Sequence, residues 1–160
     1  MCAVRRRNPN ISTPSVTQTT RPTHPSLQIS GEAFVHLRGI QALSMSGCDQ
    51  DAIETNDFEH LEGIVSLTID GCTQLSGKIF AHLRSLRILS MIGCDQESIE
   101  DGDFEYLHGV LDLNLSGCTQ ITSAALEYLS SIHNISVDNG IDVHEAVAAL
   151  QFARQQNAER

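Results

Sequence analysis

Three histidines, His36, His60 and His82, stand at equivalent places along the chain, and Tyr106 and Tyr128 continue the series. Four cysteines, Cys48, Cys72, Cys94 and Cys118, form a second series. A column of imidazoles could hold a metal or sense pH, and a column of thiols could bind zinc. The spacing argues against both. The cysteines recur once per repeat, far wider than any paired zinc-ligand pattern, and no histidine recurs at a suitable distance from them. Tyrosine replaces histidine in the later copies. Equivalent atoms on stacked units also lie roughly 5 Å apart or more, too far for three nitrogens around one ion. The rings therefore read as half-buried neighbours of the adjacent leucines. The chain has no Gly-rich phosphate loop, no His-x-Glu metal motif and no nucleophile elbow. Catalysis needs unlike groups converging in a pocket, whereas repeats line up like groups in columns. The expectation is a chain that is not an enzyme and carries neither metal nor cofactor.

The elements that place these columns are repeats. Gly-Cys-x-Gln begins at Gly47, Gly71, Gly93 and Gly117. A longer period, two units in length, is superimposed. GCDQDAIETNDFEHLEGI, from Gly47, returns as GCDQESIEDGDFEYLHGV from Gly93, and GCTQLSGKIFAHL, from Gly71, returns as GCTQITSAALEYL from Gly117. Each unit carries apolar residues in the order Leu37/Ile40/Leu43/Met45, Leu61/Ile64/Leu67/Ile69, Leu83/Leu86/Leu89/Met91 and Leu107/Val110/Leu113/Leu115. Leu129/Ile132/Ile135/Val137 make a fifth. Apolar residues two apart face one side of a short strand. The earlier three-residue steps, from Phe34 or Phe58 to the leucine, fit a short helix or 3₁₀ turn. Ser30, Ser76 and Thr122 stand where helix caps belong. A unit this small cannot bury its apolar side alone, so the units must stack around one shared core with a parallel strand ladder. The expected architecture is an α/β solenoid, a horseshoe arc of about five to six 22–24-residue coils.

These residues resemble the cysteine-containing leucine-rich repeats of F-box proteins. LNLSGCTQITSAAL, over Leu113–Leu126, is nearly a consensus unit, and the resemblance spans about residues 27–140. It implies that Cys48, Cys72, Cys94 and Cys118 are structural, pointing inward beneath a turn. With five cysteines in all and no apolar leader, reduced buried thiols in a reducing compartment are expected. Residues 1–26 are too few for the helices of an F-box. The recognition half of that family's work carries over as an expectation; ubiquitin-ligase docking does not.

The charge is divided along the chain. Residues 1–31 hold four arginines and no acidic residue, leaving 6 basic against 20 acidic residues elsewhere. Such an acidic body repels phosphate, so nucleic acid is not an expected partner. No apolar run has the length of a membrane span. Residues 1–26, rich in Pro, Ser, Thr and Arg, read as a disordered basic tail, with an organellar transit peptide as the alternative. Residues 27–140 read as the repeat domain and 141–160 as a C-terminal cap. In that cap Asp142 and Glu145 form a capping box, and Val143, Ala146, Val147, Leu150 and Ala153 form an apolar stripe. Leu27 and Ile29 open a first, partial unit whose edge is covered either by the tail or by another molecule, including a second copy of the chain. The expected location is cytoplasmic.

The residues flanking each buried strand pair face outward together. They form three columns, Ala42/Ser66/Ile88/Asp112/Asn134, Ser44/Thr68/Ser90/Asn114/Ser136 and Ser46/Asp70/Ile92/Ser116/Asp138. Most are small and polar. Ile88 and Ile92 break the pattern on either side of Ser90, with Asp70, Asp112, Asp138 and Asn114 around them. An apolar centre with a charged border is how protein interfaces are built. The expectation is a protein-interaction module whose partner has a basic rim. A self-assembling repeat, a fragment without a role of its own, and a receptor acting with a separate ubiquitin-ligase scaffold are the alternatives.

Overall fold

The computed structural model describes residues 5–6, 30–48 and 53–138, together with Ala148, Leu150, Gln151 and Gln155. Six short strands form one sheet in chain order: β1 (Arg5–Arg6), β2 (Ala42–Ser44), β3 (Ser66–Thr68), β4 (Ile88–Ser90), β5 (Asp112–Asn114) and β6 (Asn134–Ser136). Strands β2 to β6 run parallel, with equivalent residues side by side: Ala42, Ser66, Ile88, Asp112 and Asn134 lie in one row. β1 is antiparallel to β2 and takes its outer edge, Arg5 opposite Ser44 and Arg6 opposite Leu43. Leu27 and Ile29 lie outside the described residues, as does the rest of the tail.

After each strand the chain turns at the glycine of Gly-Cys-x-Gln. Gly47, Gly71, Gly93 and Gly117 have φ of 66°, 65°, 68° and 77°, a left-handed conformation that costs other residues about 1–2 kcal/mol. The turn sends the chain to the opposite side of the unit, where each 3₁₀ helix forms: Gly31–Leu37, Thr55–Leu61, Gly77–His82, Asp101–Leu107 and Ser123–Tyr128. A three-residue period suits these helices. It sets Phe34 above Leu37, Phe58 above Leu61 and Phe104 above Leu107, all buried. Phe34 meets Phe58 edge to face at 5.4 Å between centroids, and Phe80 meets Phe104 at 5.6 Å. Leucines of the strands, phenylalanines of the helices and the cysteines fill a single core, with no buried polar residue among those described. Each leucine so placed contributes about 1.5–3 kcal/mol of transfer free energy. Leu150 is buried in the same core, while Ala148, Gln151 and Gln155 are helical and exposed. Asp142, Val143, Glu145, Ala146, Val147 and Ala153 lie outside the description.

The motif is a set of hydrogen bonds running back to the preceding unit. Cys72 Sγ donates to Met45 O at 3.0 Å, Cys94 Sγ to Ile69 O at 3.1 Å and Cys118 Sγ to Met91 O at 2.9 Å. Gln96 Nε2 donates to Cys72 O and Leu75 O at 3.0 Å, and Gln120 Nε2 to Cys94 O at 2.8 Å. Cysteine is suited to the site because its small apolar body packs in the core while its S–H still serves a carbonyl. Burial pushes the thiols of Cys72 and Cys118 up to about 11, and that of Cys94 upward too. Cys72, Cys94 and Cys118 are reduced. Cys48 is not: it is disulfide-bonded. This corrects the expectation of four reduced thiols.

The two-unit period has a separate cause. Asp57 accepts the Glu54 N–H at 2.7 Å and Asp103 the Glu100 N–H at 2.8 Å, closing the start of their helices. Each carboxylate lies where a Cβ on the glycine of the preceding helix would be. A Cβ on Gly77 would come within 1.9 Å of Asp103 Oδ2, and one on Gly31 within 1.5 Å of Asp57 Oδ2. Asp101 likewise accepts from the N–H of Thr122 at 2.8 Å and from its hydroxyl. The helices that begin with Ser76 and Thr122 are capped by those hydroxyls, which accept from Lys78 N and Ala124 N. Ser30 occupies the same place without a side-chain cap bond. The two unit types are thus mutually fitted, and a pair is the repeating object.

Candidate functional site

On the helix side, the ring column splits into local contacts. His36 is exposed and His60 and His82 are half-buried. Arg38 Nη2 lies 3.1 Å from His60 Nδ1, and the Arg84 guanidinium sits over the Tyr106 ring at 5.4 Å. Each arginine therefore engages the ring of the following unit. Among the described residues no three His, Cys, Asp or Glu side chains are grouped to hold a metal ion. The clefts on this side are shallow. The one between Arg38, Gly39, Glu59, His60 and Glu62 holds about 400 Å³, and in it His60 Nε2 lies 3.8 Å from Glu59 Oε1.

The strand side is different. In β2 to β5 the middle residue is buried and its neighbours face solvent, so the register aligns the three outward columns. The third column continues past the strands because Gly47 N–H bonds to Asp70 O, Gly71 N–H to Ile92 O and Gly93 N–H to Ser116 O, each at 2.7 Å. Ile88 and Ile92 retain 44% and 41% of their accessible surface. No other large apolar side chain on this face is that open among the described residues. Ile88 opens β4 and Ile92 lies two residues beyond its end, with Ser90 between them.

The polar residues around them are tied down. Asp70 Oδ1 accepts from the Ser90 hydroxyl at 2.6 Å and from the Ile92 N–H at 2.8 Å. One carboxylate oxygen therefore fixes both the centre of the patch and the backbone of its second isoleucine. Asp112 Oδ1 accepts from Asn134 Nδ2. Asp138 Oδ1 accepts from the Gly117 N–H at 2.5 Å, and Asn114 Oδ1 from the Ser116 N–H at 3.0 Å. Ile88, Ser90, Asp112 and Asn114 lie on β4 and β5, with Asp70 and Ile92 just past the ends of β3 and β4. Asp138, beyond β6, lies two strands away from the isoleucines. The double acceptance by Asp70 is not apparent from composition, although an aspartate in the strand-end column beside a serine one strand on is the pattern that produces it.

No helix among the described residues is long and apolar enough to cross a membrane. No protein-family model matches the chain, and no curated protein matches it. Among solved structures, the tropomodulin C-terminal domain from Caenorhabditis elegans is similar over 82% of this chain and 98% of that one, with a TM-score of 0.49 and 11% sequence identity. The parallel ladder, the in-register apolar residues and the returning 3₁₀ helices make this an α/β repeat arrangement.

Proposed function

We propose that this chain is a protein–protein interaction module, an adaptor or recognition subunit, that binds its partner across the strand face and performs no catalysis itself. In this reading the units curve into a horseshoe of five to six coils with that face on the concave side. The observation that carries the proposal is the pair Ile88 and Ile92, open to solvent on a face otherwise covered by small polar residues. A fold that needs only small polar groups there has no structural use for two exposed isoleucines, and burying them against a partner recovers about 25 cal/mol per Å² of apolar surface. Asp70 holds the patch in one geometry through Ser90 and Ile92, which lowers the ordering cost of binding. The test is quantitative co-purification from native cells with the wild type and with Ile88→Glu/Ile92→Glu, after circular dichroism has shown that the variant is folded. A discrete protein recovered with the wild type and lost with the variant is expected. Identical sets of proteins from both would refute the strand-face reading.

A further inference from the structure

The strand face carries a pattern that specifies its partner's chemistry. Ile88 stands beside Asp112 in the first column, and Asp70 stands beside Ile92 in the third, where Ile92 N–H reaches the Asp70 carboxylate. A half-turn about an axis through Ser90, normal to the sheet, exchanges Ile88 with Ile92 and Asp70 with Asp112. It also carries Ser66 onto Ser116 and Thr68 onto Asn114. The centre is thus a two-fold cross, with isoleucines along β4 and carboxylates on the diagonal. Four residues of strand rise at ~3.3 Å and two strand spacings of ~4.8 Å put the two aspartates ~16 Å apart, on either side of the apolar bar.

Each carboxylate commits one oxygen inside the protein, Asp70 Oδ1 to Ser90 and Ile92 and Asp112 Oδ1 to Asn134. Its second oxygen remains for an outside donor. The three columns contain no Lys or Arg, and the basic residues of the sheet, Arg5 and Arg6, stand on β1 beyond β2, at its far edge from Asp112. A second copy presenting the same three columns would bring further carboxylates and no cation to meet them, and a nucleic acid would set phosphate against them. We infer, on the basis of the interaction-module reading, that the partner is a protein segment with two basic side chains spaced to match the two aspartates and an apolar side chain midway between them. The apolar group lies over Ser90 between Ile88 and Ile92, and the cations meet Asp70 and Asp112. Small neighbours such as Ser66, Thr68 and Ser116 allow the segment to approach the sheet closely.

The experiment is selection of displayed random dodecapeptides on the intact chain, with each selected peptide then measured against three proteins: wild type, Asp70→Asn/Asp112→Asn, and Ile88→Ser/Ile92→Ser. Asparagine keeps the Oδ1 acceptor for Ser90 and Ile92 while removing the charge, and circular dichroism checks that both variants fold. Expected are peptides pairing two basic residues around an apolar one, about ten-fold weaker on the Asp→Asn protein at low ionic strength, with the difference shrinking in salt. They should lose detectable binding to the Ile→Ser protein. Neutral or acidic peptides that need Ile88 and Ile92 but bind the Asp→Asn protein equally well would overturn the basic-partner inference and leave the interaction-module reading standing. No enrichment, or only peptides indifferent to Ile88 and Ile92, would remove both.

Discussion

The contact between Asp103 and Gly77 allows a decisive test of why the sequence repeats in pairs of units. Asp103 accepts the Glu100 N–H at 2.8 Å, and a Cβ at position 77 would fall 1.9 Å from its Oδ2. Gly77→Ala must therefore expel the carboxylate. That loses the helix-start bond, worth about 1 kcal/mol, and strains the packing between the two helices. The smaller unfolded-state entropy of alanine returns roughly 0.4–1 kcal/mol, for a net loss of about 1–2 kcal/mol. Asp103→Ala removes the same bond and costs about 1 kcal/mol. In the double variant there is no carboxylate left to expel, although the Cβ retained at position 103 still lies 2.7 Å from the added one, so the loss should fall short of the sum of the two while staying above that of Asp103→Ala alone. The coupling read from urea unfolding of the four proteins is then about 1 kcal/mol. Gly31 and Asp57 repeat the arrangement and should give a cycle of the same sign. Simple additivity in both cycles would refute the proposed cause of the double repeat.

Four further outcomes follow from the same geometry. Gly71→Ala, at φ 65° with nothing within 4 Å of the added Cβ, should cost about 1–2 kcal/mol by backbone strain alone, measured by urea unfolding. Leu89→Ala, at 1% exposure in the centre of the core, should cost about 3 kcal/mol in the same assay. Ile88→Glu/Ile92→Glu should change stability by no more than about 0.5 kcal/mol per site, because both side chains are already open to water. The folded chain keeps protons on Cys72 and Cys118 up to about 11, whereas the ordinary value is 9.0. The stability those thiols contribute is complete below pH 9 and is lost as the pH rises towards 11, because the unfolded state releases its protons first. Urea midpoints should fall across that window, and Cys72→Ala/Cys118→Ala should flatten the fall.

Much of the fold could be read from residue order. Leu43 and Met45, two apart and matched by an apolar pair in every unit, require a strand with one buried side, and the outward columns follow from them. The exposure of Ile88 and Ile92 was legible for the same reason. Contacts between units were harder to read, because they depend on which residues the stacking brings side by side. Nothing in the string places Asp70 against the Ile92 N–H of the next unit, or Asp103 against Gly77. The aspartates around the patch read as a charged border. In the folded chain they are first of all acceptors for neighbouring strands, and only one oxygen of Asp70 and Asp112 is left for a partner. The Cys48 disulfide was illegible for a different reason, since equivalent placement makes four cysteines look alike when one differs in its bonding.

The pairing of aspartate with glycine also sets the step by which such a chain can change length. Removing a single unit would bring two units of one type together and either set a carboxylate against a side chain instead of a glycine or leave a glycine without its carboxylate. Removing or inserting a pair would leave every junction as it was. Growth and loss in this architecture are therefore quantised in pairs of units, as in a wall laid with two shapes of brick.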